Sequence, residues 1–172
     1  MAAARYLQEQ GWRVAVSESR ERDLLDPGHL DELAHMGVEV ETGGHTPALF
    51  RGADMIVPSP GVPLHLPLIS EARARGAVIA GELSLAAGRI KAPVIAVTGS
   101  NGKTTVTSLI GHLLQGGGRR VFVGGNIGSP VLEYLRGGQE ADMVVLELSS
   151  FQLEISGNFR PDIGLLLNLT PD

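Results

Sequence analysis

Residues 98–105 read Thr-Gly-Ser-Asn-Gly-Lys-Thr-Thr and combine glycines, a lysine and hydroxyl side chains in one short loop. Gly99 and Gly102 let the backbone turn so that its N–H groups point at phosphate oxygens. Lys103 supplies a mobile positive charge, and the hydroxyl of Thr104 suits Mg²⁺. This combination predicts a nucleotide triphosphate site, and we expect the chemistry near it to be driven by ATP.

The loop differs from the general P-loop pattern, which has a glycine five residues before Gly102, where this chain has Val97. A short Gly-x-x-Gly-Lys-Thr string also occurs as an ordinary strand-to-helix turn with a surface lysine. The flanking residues favour the phosphate site, because β-prone residues 94–97 precede the loop and apolar residues recur at helical spacing over 106–114. The sequence therefore predicts a strand, a loop and a helix in that order.

Further polar groups follow the other strands predicted in this half of the chain. Gly125 and Asn126 come after residues 120–123, where glycines permit close approach of a ligand to the backbone; the alternative is a plain turn. Glu147 ends an apolar run, where a carboxylate faces the P-loop on a neighbouring strand and can hold Mg²⁺ or its water shell; the alternative is a surface glutamate. The string 168–172, Asn-Leu-Thr-Pro-Asp, again puts polar groups at a strand end.

The N-terminal half carries weaker signals. Glu18 and Arg20 follow a predicted strand, where an acidic residue often meets a ribose or base and an arginine can reach a phosphate. The alternative for Arg20 is a solvated charge beside the charged residues 21–23. The five histidines show neither metal-ligand spacing nor a paired partner, so we interpret them as surface or packing residues. No serine hydrolase pattern occurs in the sequence.

The composition indicates a globular protein, since 172 residues with 43% hydrophobic content can bury a core. A net charge of −5 argues against nucleic acid as a partner. The sequence has no cysteine, which excludes disulfides and fits a reducing compartment. No apolar run is long enough for a membrane span, and the N-terminus lacks a secretory pattern. We therefore expect a cytoplasmic protein with no membrane partner, and a monomer as the default.

Alternating strands and helices predict an α/β fold in two domains, with parallel strands joined by right-handed crossovers. The first, residues 1–91, is Rossmann-like without its first strand, with strands at 14–16, 38–40, 55–57 and 78–79 and helices at 2–10, 29–35, 66–75 and 82–89. The second, residues 92–172, is a partial P-loop-type doubly wound domain, with strands at 94–97, 120–123, 143–147 and 163–168 and helices at 103–114 and 130–135. Its strands are nearly continuous in Val, Ile and Leu, which indicates burial on both faces.

Four strings together resemble the Mur ligase family: residues 98–105, 124–128, 147–154 and 168–172. The Glu-Leu-Ser-Ser-Phe-Gln-Leu-Glu string at 147–154 is the most specific, because other members of the family vary there. Ser-Pro-Gly at 59–61 also fits. The resemblance spans the N-terminal domain and the first part of the central domain, and it favours the member of the family that adds D-glutamate.

The resemblance implies an ATP-dependent acid–amino-acid ligase of peptidoglycan synthesis, and so a role in cell wall biogenesis, cell shape and cell division. ATP would phosphorylate the carboxylate of UDP-N-acetylmuramoyl-L-alanine, and the amine of D-glutamate would attack the acyl phosphate. By motif, Lys103 and Glu147 would be catalytic, and Thr104 and Glu147 would hold Mg²⁺. The ATP phosphates would contact Gly99, Ser100, Asn101, Gly102, Lys103, Thr104 and Thr105. The substrate would contact Glu18, Ser19, Arg20, Gly61, Gly125, Asn126, Ser149 and Gln152.

In the family, a histidine follows the Asn-x-Thr-x-Asp string, a carbamylated lysine lies further on, and a C-terminal domain completes the sites. The 172 residues do not contain these features, so we expect an incomplete fragment that has no ligase activity by itself. Two alternatives remain open. The chain is a relative of another Mur ligase or of folylpolyglutamate synthase, or it is a non-catalytic nucleotide-binding module built from the same strand-loop-helix parts.

Overall fold

The computed structural model describes residues 1–170, in which helices and parallel strands alternate along the chain. The helices are α1 Ala2–Glu9, α2 Pro27–His35, α3 Pro47–Arg51, α4 Pro67–Ala74, α5 Glu82–Ala86, α6 Lys103–Gly116, α7 Val131–Arg136 and α8 Ser150–Glu154, with a 3₁₀ turn at Arg22–Leu24. The strands are β1 Ala15–Glu18, β2 Glu39–Thr42, β3 Met55–Ile56, β4 Val78–Ile79, β5 Val94–Thr98, β6 Val121–Gly125, β7 Met143–Glu147 and β8 Ile163–Leu166. The α/β class expected from the sequence is confirmed.

The chain forms two compact units. The first comprises residues 1–58 and 62–79, and the second comprises residues 59–61 and those from 80 onwards. Helix α5 therefore packs with the second unit. Over residues 1–170, no helix is both long and apolar enough to cross a membrane.

The first unit is built on two parallel strand pairs. Strand β1 pairs with β2 and β3 pairs with β4, so the predicted parallel arrangement is confirmed, although the strands form two pairs rather than one continuous sheet. Helices α1 and α2 pack over the first pair. The apolar side chains of this core are Ala4, Leu33 and Val38, with Val14, Val16, Met36 and Val40 packed against them.

Three short elements were not predicted from the sequence: the 3₁₀ turn, α3 and α8. Each has only three to five residues, so an apolar period of 3.6 residues cannot show itself. Helix α3 does carry a local signal, since Pro47 occupies its first turn directly after Thr46. Such short helices are better recognised from their first residues than from periodicity.

The second unit contains a four-stranded parallel sheet in the order β6-β7-β5-β8. The two central strands, β5 and β7, are buried almost throughout, which explains their continuous apolar sequence. Strand β8 lies at the edge of the sheet, and its Ile163 and Leu166 are 52% and 60% exposed. Burial on both faces therefore holds for the central strands and is wrong for β8.

Helix α6 lies against the sheet through Gly111, where an added Cβ atom would lie 2.5 Å from Cγ2 of Val123 in β6. We expect Gly111→Ala to reduce the free energy of unfolding by about 1–2 kcal/mol, because the close packing outweighs the helix preference of alanine. Gly116→Ala in the same helix is the matched control, since nothing lies within 4 Å of its added Cβ. Urea unfolding of both variants would measure the difference, and equal midpoints would contradict the close packing.

Candidate functional site

The carboxyl ends of all four strands of the four-stranded sheet carry polar residues that the sequence analysis singled out. Strand β5 leads into the loop 99–102, and β7 ends at Glu147. Strand β6 ends at Gly125, followed by Asn126, and Asn168 lies two residues beyond the end of β8. Because the strands are parallel, these ends meet at one edge of the sheet, where ligands bind in open α/β folds.

The loop between β5 and α6 has the backbone geometry of a phosphate cradle. Gly99 and Gly102 have φ angles of +141° and +82°, which side-chain-bearing residues rarely adopt. Helix α6 begins at Lys103, so its first N–H groups have no acceptor within the helix. The predicted succession of strand, loop and helix is confirmed. Val97, which occupies the place of the usual P-loop glycine, is fully buried in β5.

The side chain of Lys103 lies across this loop. Its Nζ donates hydrogen bonds to the carbonyl oxygens of Gly99, at 2.7 Å, and Ser100, at 3.1 Å. An ammonium group has three hydrogens, so one remains for a phosphate oxygen when these two bonds are kept. The lysine is thus held at the loop rather than extended into solvent as in an ordinary surface turn.

Glu147 is the most buried charged group of the site, with 1% of its surface exposed. Its Oε2 accepts a hydrogen bond from the Thr104 hydroxyl at 2.8 Å, and its Oε1 accepts one from Nδ2 of Asn126 at 2.7 Å. The alternative of a surface glutamate is therefore wrong. A carboxylate is costly to bury unless hydrogen bonds compensate it, and here two partners from separate elements do so.

The pair of Thr104 and Glu147 fits a magnesium ion chemically. Mg²⁺ prefers oxygen ligands, and in nucleotide sites it takes one or two from the protein and the others from phosphates and water. Within the described residues, no cluster of three or more His, Asp or Glu side chains forms a cage for a metal. The hydroxyl and carboxylate therefore suit a metal that arrives together with a polyphosphate.

The turn after β6 is fitted closely to Glu147. Gly125 has a φ angle of +99°, and a Cβ atom there would lie 2.4 Å from the carbonyl oxygen of Glu147. The backbone N–H of Asn126 donates to that same oxygen at 2.8 Å. A side chain at position 125 would separate these elements, so this glycine permits the contact that places Asn126 beside the carboxylate.

Ser149 and Gln152 form the start of helix α8. The Ser149 hydroxyl accepts a hydrogen bond from the Gln152 N–H at 3.2 Å, and the Ser149 N–H donates to Oε1 of Gln152 at 3.0 Å. This reciprocal pair is a capping box. The capping box begins two residues after Glu147 in the sequence. The Ser-Ser-Phe-Gln string therefore starts helix α8 immediately after the end of β7.

In the first unit, Arg20 folds back onto Glu18. Its Nε and Nη2 donate to the two carboxylate oxygens at 3.2 and 3.0 Å, and its backbone N–H donates at 3.1 Å. Ser19 also donates to this carboxylate, at 3.4 Å. Arg20 therefore forms an ion pair with Glu18, while its side chain stays 61% exposed, in keeping with the alternative of a solvated charge. Gly61, which belongs to the second unit, is in a turn and has a φ angle of +86°.

Hydrogen bonds from Arg20 lower the pKa of Glu18 to about 2. Because the folded pKa is depressed, the stabilisation from this pair is present above the unfolded pKa and is lost as the pH falls through about 2. We expect Arg20→Gln to raise the pKa of Glu18 towards its ordinary value, as measured by an NMR titration of the carboxyl carbon. Arg22→Gln is the control, and an unchanged Glu18 pKa in Arg20→Gln would contradict the pairing.

One polar cluster of the first unit was missed in the sequence. Ser17 and Glu41 are register partners across β1 and β2, and the Ser17 hydroxyl donates to Oε2 of Glu41 at 2.7 Å. Nδ1 of His45 lies 2.7 Å from the same hydroxyl oxygen. The interpretation that the histidines have no paired partner is therefore wrong for His45. Twenty-eight residues separate His45 from Ser17, so spacing along the chain gives no signal.

Comparison with known proteins agrees with this arrangement of fold and site. Residues 1–81 match the Mur ligase MurD-like N-terminal domain, and residues 97–172 match the Mur ligase middle domain. The chain belongs to the Mur ligase family. The resemblance inferred from the sequence motifs is confirmed.

Two curated relatives are UDP-N-acetylmuramoylalanine-D-glutamate ligases. The enzyme of Koribacter versatilis is 47% identical over 172 residues, which cover 100% of this chain and 38% of that protein. The enzyme of Desulfotalea psychrophila is 48% identical over 171 residues, which cover 99% of this chain and 37% of that protein. The chain thus spans well under half the length of these relatives.

A solved structure also resembles the fold. It is the UDP-N-acetylmuramate:L-alanyl-gamma-D-glutamyl-meso-diaminopimelate ligase of Neisseria meningitides, with a TM-score of 0.56 and 19% sequence identity. The match covers 99% of this chain and 57% of that one. At this level of identity, the likeness supports the fold alone.

Proposed function

We propose that this chain supplies the ATP-phosphate site of an ATP-dependent ligase that adds D-glutamate to UDP-N-acetylmuramoyl-L-alanine in the cytoplasm, during peptidoglycan synthesis. The observation that carries the proposal is the buried Glu147. Its carboxylate accepts hydrogen bonds from the Thr104 hydroxyl and the Asn126 side chain, beside the loop to which Lys103 donates. This arrangement combines a phosphate cradle, a cation and two oxygen ligands for Mg²⁺. The high identity to D-glutamate-adding ligases supports the particular substrates.

In the proposed reaction, the terminal phosphoryl group of ATP passes to the carboxylate of the alanyl residue, and ADP leaves. The amine of D-glutamate then attacks the acyl carbon, an amide bond forms, and phosphate leaves. Little covalent chemistry falls to the protein in phosphoryl transfer, so its residues act by positioning and by stabilising charge. Bound Mg²⁺ would supply neutralisation of the phosphate charge.

The proposed roles of the chain's own residues follow from their contacts. Lys103 would donate to the phosphate oxygens, while the first amides of α6, at Lys103, Thr104 and Thr105, bind the same anion together with the turn of Gly99 and Gly102. Ser100 and Asn101 would contribute through their side chains, since their backbone amides donate to Asn168. Thr104 and Glu147 would hold the metal.

The sugar-nucleotide substrate is proposed to contact two groups of residues. Glu18, Ser19, Arg20 and Gly61 would bind the uridine part, and Gly125, Asn126, Ser149 and Gln152 would lie near the reacting part. The corresponding domains are residues 1–91 for the sugar nucleotide and 92–172 for ATP. Of the final Asn-Leu-Thr-Pro-Asp string, Pro171 and Asp172 lie outside the described residues. A monomer is the starting proposal for the oligomeric state.

Titration calorimetry combined with amide hydrogen exchange on the 172-residue chain tests the proposal. We expect Mg-ATP to bind and to slow exchange over residues 99–105, and UDP-N-acetylmuramoyl-L-alanine to slow exchange near residues 18–20. Binding of ATP without any effect of the sugar nucleotide would favour a nucleotide-binding module with another substrate. Failure of both ligands to bind would reject the proposed function for this chain.

A further inference from the structure

The segment that follows β8, residues 167–170, is hydrogen-bonded to the end of β5 and to residues 99–102, the phosphate loop. The Leu167 N–H donates to the Thr98 carbonyl at 3.0 Å, and the Ser100 N–H donates to the Asn168 carbonyl at 3.0 Å. The Thr170 N–H donates to the Ser100 hydroxyl oxygen at 3.0 Å. The pairing of β5 with β8 therefore continues beyond both strands into the loop.

The side chain of Asn168 completes this pairing. Its Oδ1 accepts a hydrogen bond from the Asn101 N–H at 2.9 Å, and its Nδ2 donates to the Asn101 carbonyl at 2.9 Å. A carboxamide presents an oxygen acceptor and an N–H donor side by side, as the backbone C=O and N–H of a single residue do towards a neighbouring strand. The Asn168 side chain thus serves as the strand partner of Asn101 where the backbone of the edge strand has ended.

The loop is also packed tightly at this point. A Cβ atom on Gly99 would lie 3.1 Å from both the backbone nitrogen and the carbonyl oxygen of Asn168. The hydrogen bonds and the close approach fix the peptides of Ser100 and Asn101 immediately before Gly102 turns the chain into α6. Those two amides are committed to Asn168, so after them the next amides along the chain that can face a phosphate begin at Gly102.

We infer that Asn168 is a positioning residue for the ATP site: its carboxamide holds the Asn101 peptide so that the amides from Gly102 onwards face the phosphates. The inference rests on the proposed function, because it assigns a role in binding ATP. Asn168 does not itself contact the phosphates in this role. Losing its two side-chain hydrogen bonds would let the loop sample conformations in which the amides point elsewhere, which weakens binding without removing a phosphate ligand.

Three variants of the 172-residue chain test the inference. Asn168→Leu keeps the size of the side chain and removes both hydrogen bonds. Asn168→Asp keeps an acceptor for the Asn101 N–H and removes the donor. Leu169→Ala is the matched control, because the neighbouring Leu169 is 76% exposed. Amide exchange at Asn101 measures the hydrogen bond directly, and calorimetry with Mg-ATP measures its consequence.

We expect Asn168→Leu to speed exchange at Asn101 and to weaken Mg-ATP binding, each by about tenfold, since a typical hydrogen bond contributes that factor. Asn168→Asp should keep Asn101 protected, and Leu169→Ala should match the wild type in both measurements. Unchanged exchange at Asn101 in Asn168→Leu, or faster exchange with unchanged ATP affinity, would overturn the inference. A wild-type chain that binds no Mg-ATP would instead overturn the proposed function, together with the role assigned to Asn168, whatever the exchange at Asn101.

Discussion

Lys103→Ala is expected to weaken binding of Mg-ATP to this chain by about 10- to 100-fold. The variant removes a cation that Gly99 and Ser100 hold at the loop through their carbonyl oxygens. Hydrogen bonds from a charged group are each worth about 1.5–3 kcal/mol, and about 1.4 kcal/mol corresponds to a factor of ten in affinity. Titration calorimetry at fixed ionic strength measures the change.

Lys91→Ala is the matched control for this experiment, because Lys91 is the other lysine of the sequence. Its backbone N–H donates to Gln139, away from the phosphate loop, and that bond survives the substitution. We expect Lys91→Ala to bind Mg-ATP as the wild type does. If Lys103→Ala and Lys91→Ala bind Mg-ATP with equal affinity and have matching unfolding midpoints, Lys103 does not bind the phosphates.

Glu147→Gln is expected to abolish most of the Mg²⁺ dependence of ATP binding. The wild type should bind ATP at least about tenfold more tightly with Mg²⁺ than with a chelator, because Glu147 supplies a carboxylate ligand to the metal. A glutamine amide is a much weaker magnesium ligand than a carboxylate oxygen. The glutamine keeps the shape of the side chain, and its remaining oxygen accepts a hydrogen bond from either Thr104 or Asn126. In the variant, the two affinities should approach each other.

Glu154→Gln provides the comparison, because Glu154 is exposed at the end of α8. It removes the same charge from the same unit, so it accounts for any effect of net charge on nucleotide affinity. A Glu147→Gln variant that folds and retains the full magnesium effect would show that this carboxylate does not hold the metal. The thermal unfolding midpoint, measured alongside, separates a loss of fold from a loss of metal binding.

Much of the site was predictable because its signals are local. The glycines at 99 and 102, the lysine at 103 and the flanking apolar runs lie within one strand, one loop and one helix, and each segment carries its own pattern. The end of an apolar strand likewise marked Glu147. A local pattern does not report how much of a side chain is buried. The sequence therefore left open whether Glu147 was a surface residue.

The rest of the site depends on pairs that are far apart in sequence. Asn168 and Asn101 are separated by 67 residues, and the pair of Ser17 and His45 by 28. Neither spacing carries a pattern, because strand order and register alone decide which chain ends meet. The reciprocal cap of Ser149 and Gln152 has a recognisable spacing, although the helix it begins is too short to show a period.

The sequence by itself determined the class of the fold, the succession of strand, loop and helix around Lys103, and the family to which the chain belongs. These features depend on the backbone preferences and side-chain chemistry of consecutive residues. Only the tertiary structure decided that Glu147 is buried between Thr104 and Asn126. It also decided that the side chain of Asn168 is hydrogen-bonded to the loop at Asn101. The physical reason is the parallel sheet. Its order, β6-β7-β5-β8, gathers the ends of four strands at one edge, and hydrogen bonds between those ends turn separate motifs into one site.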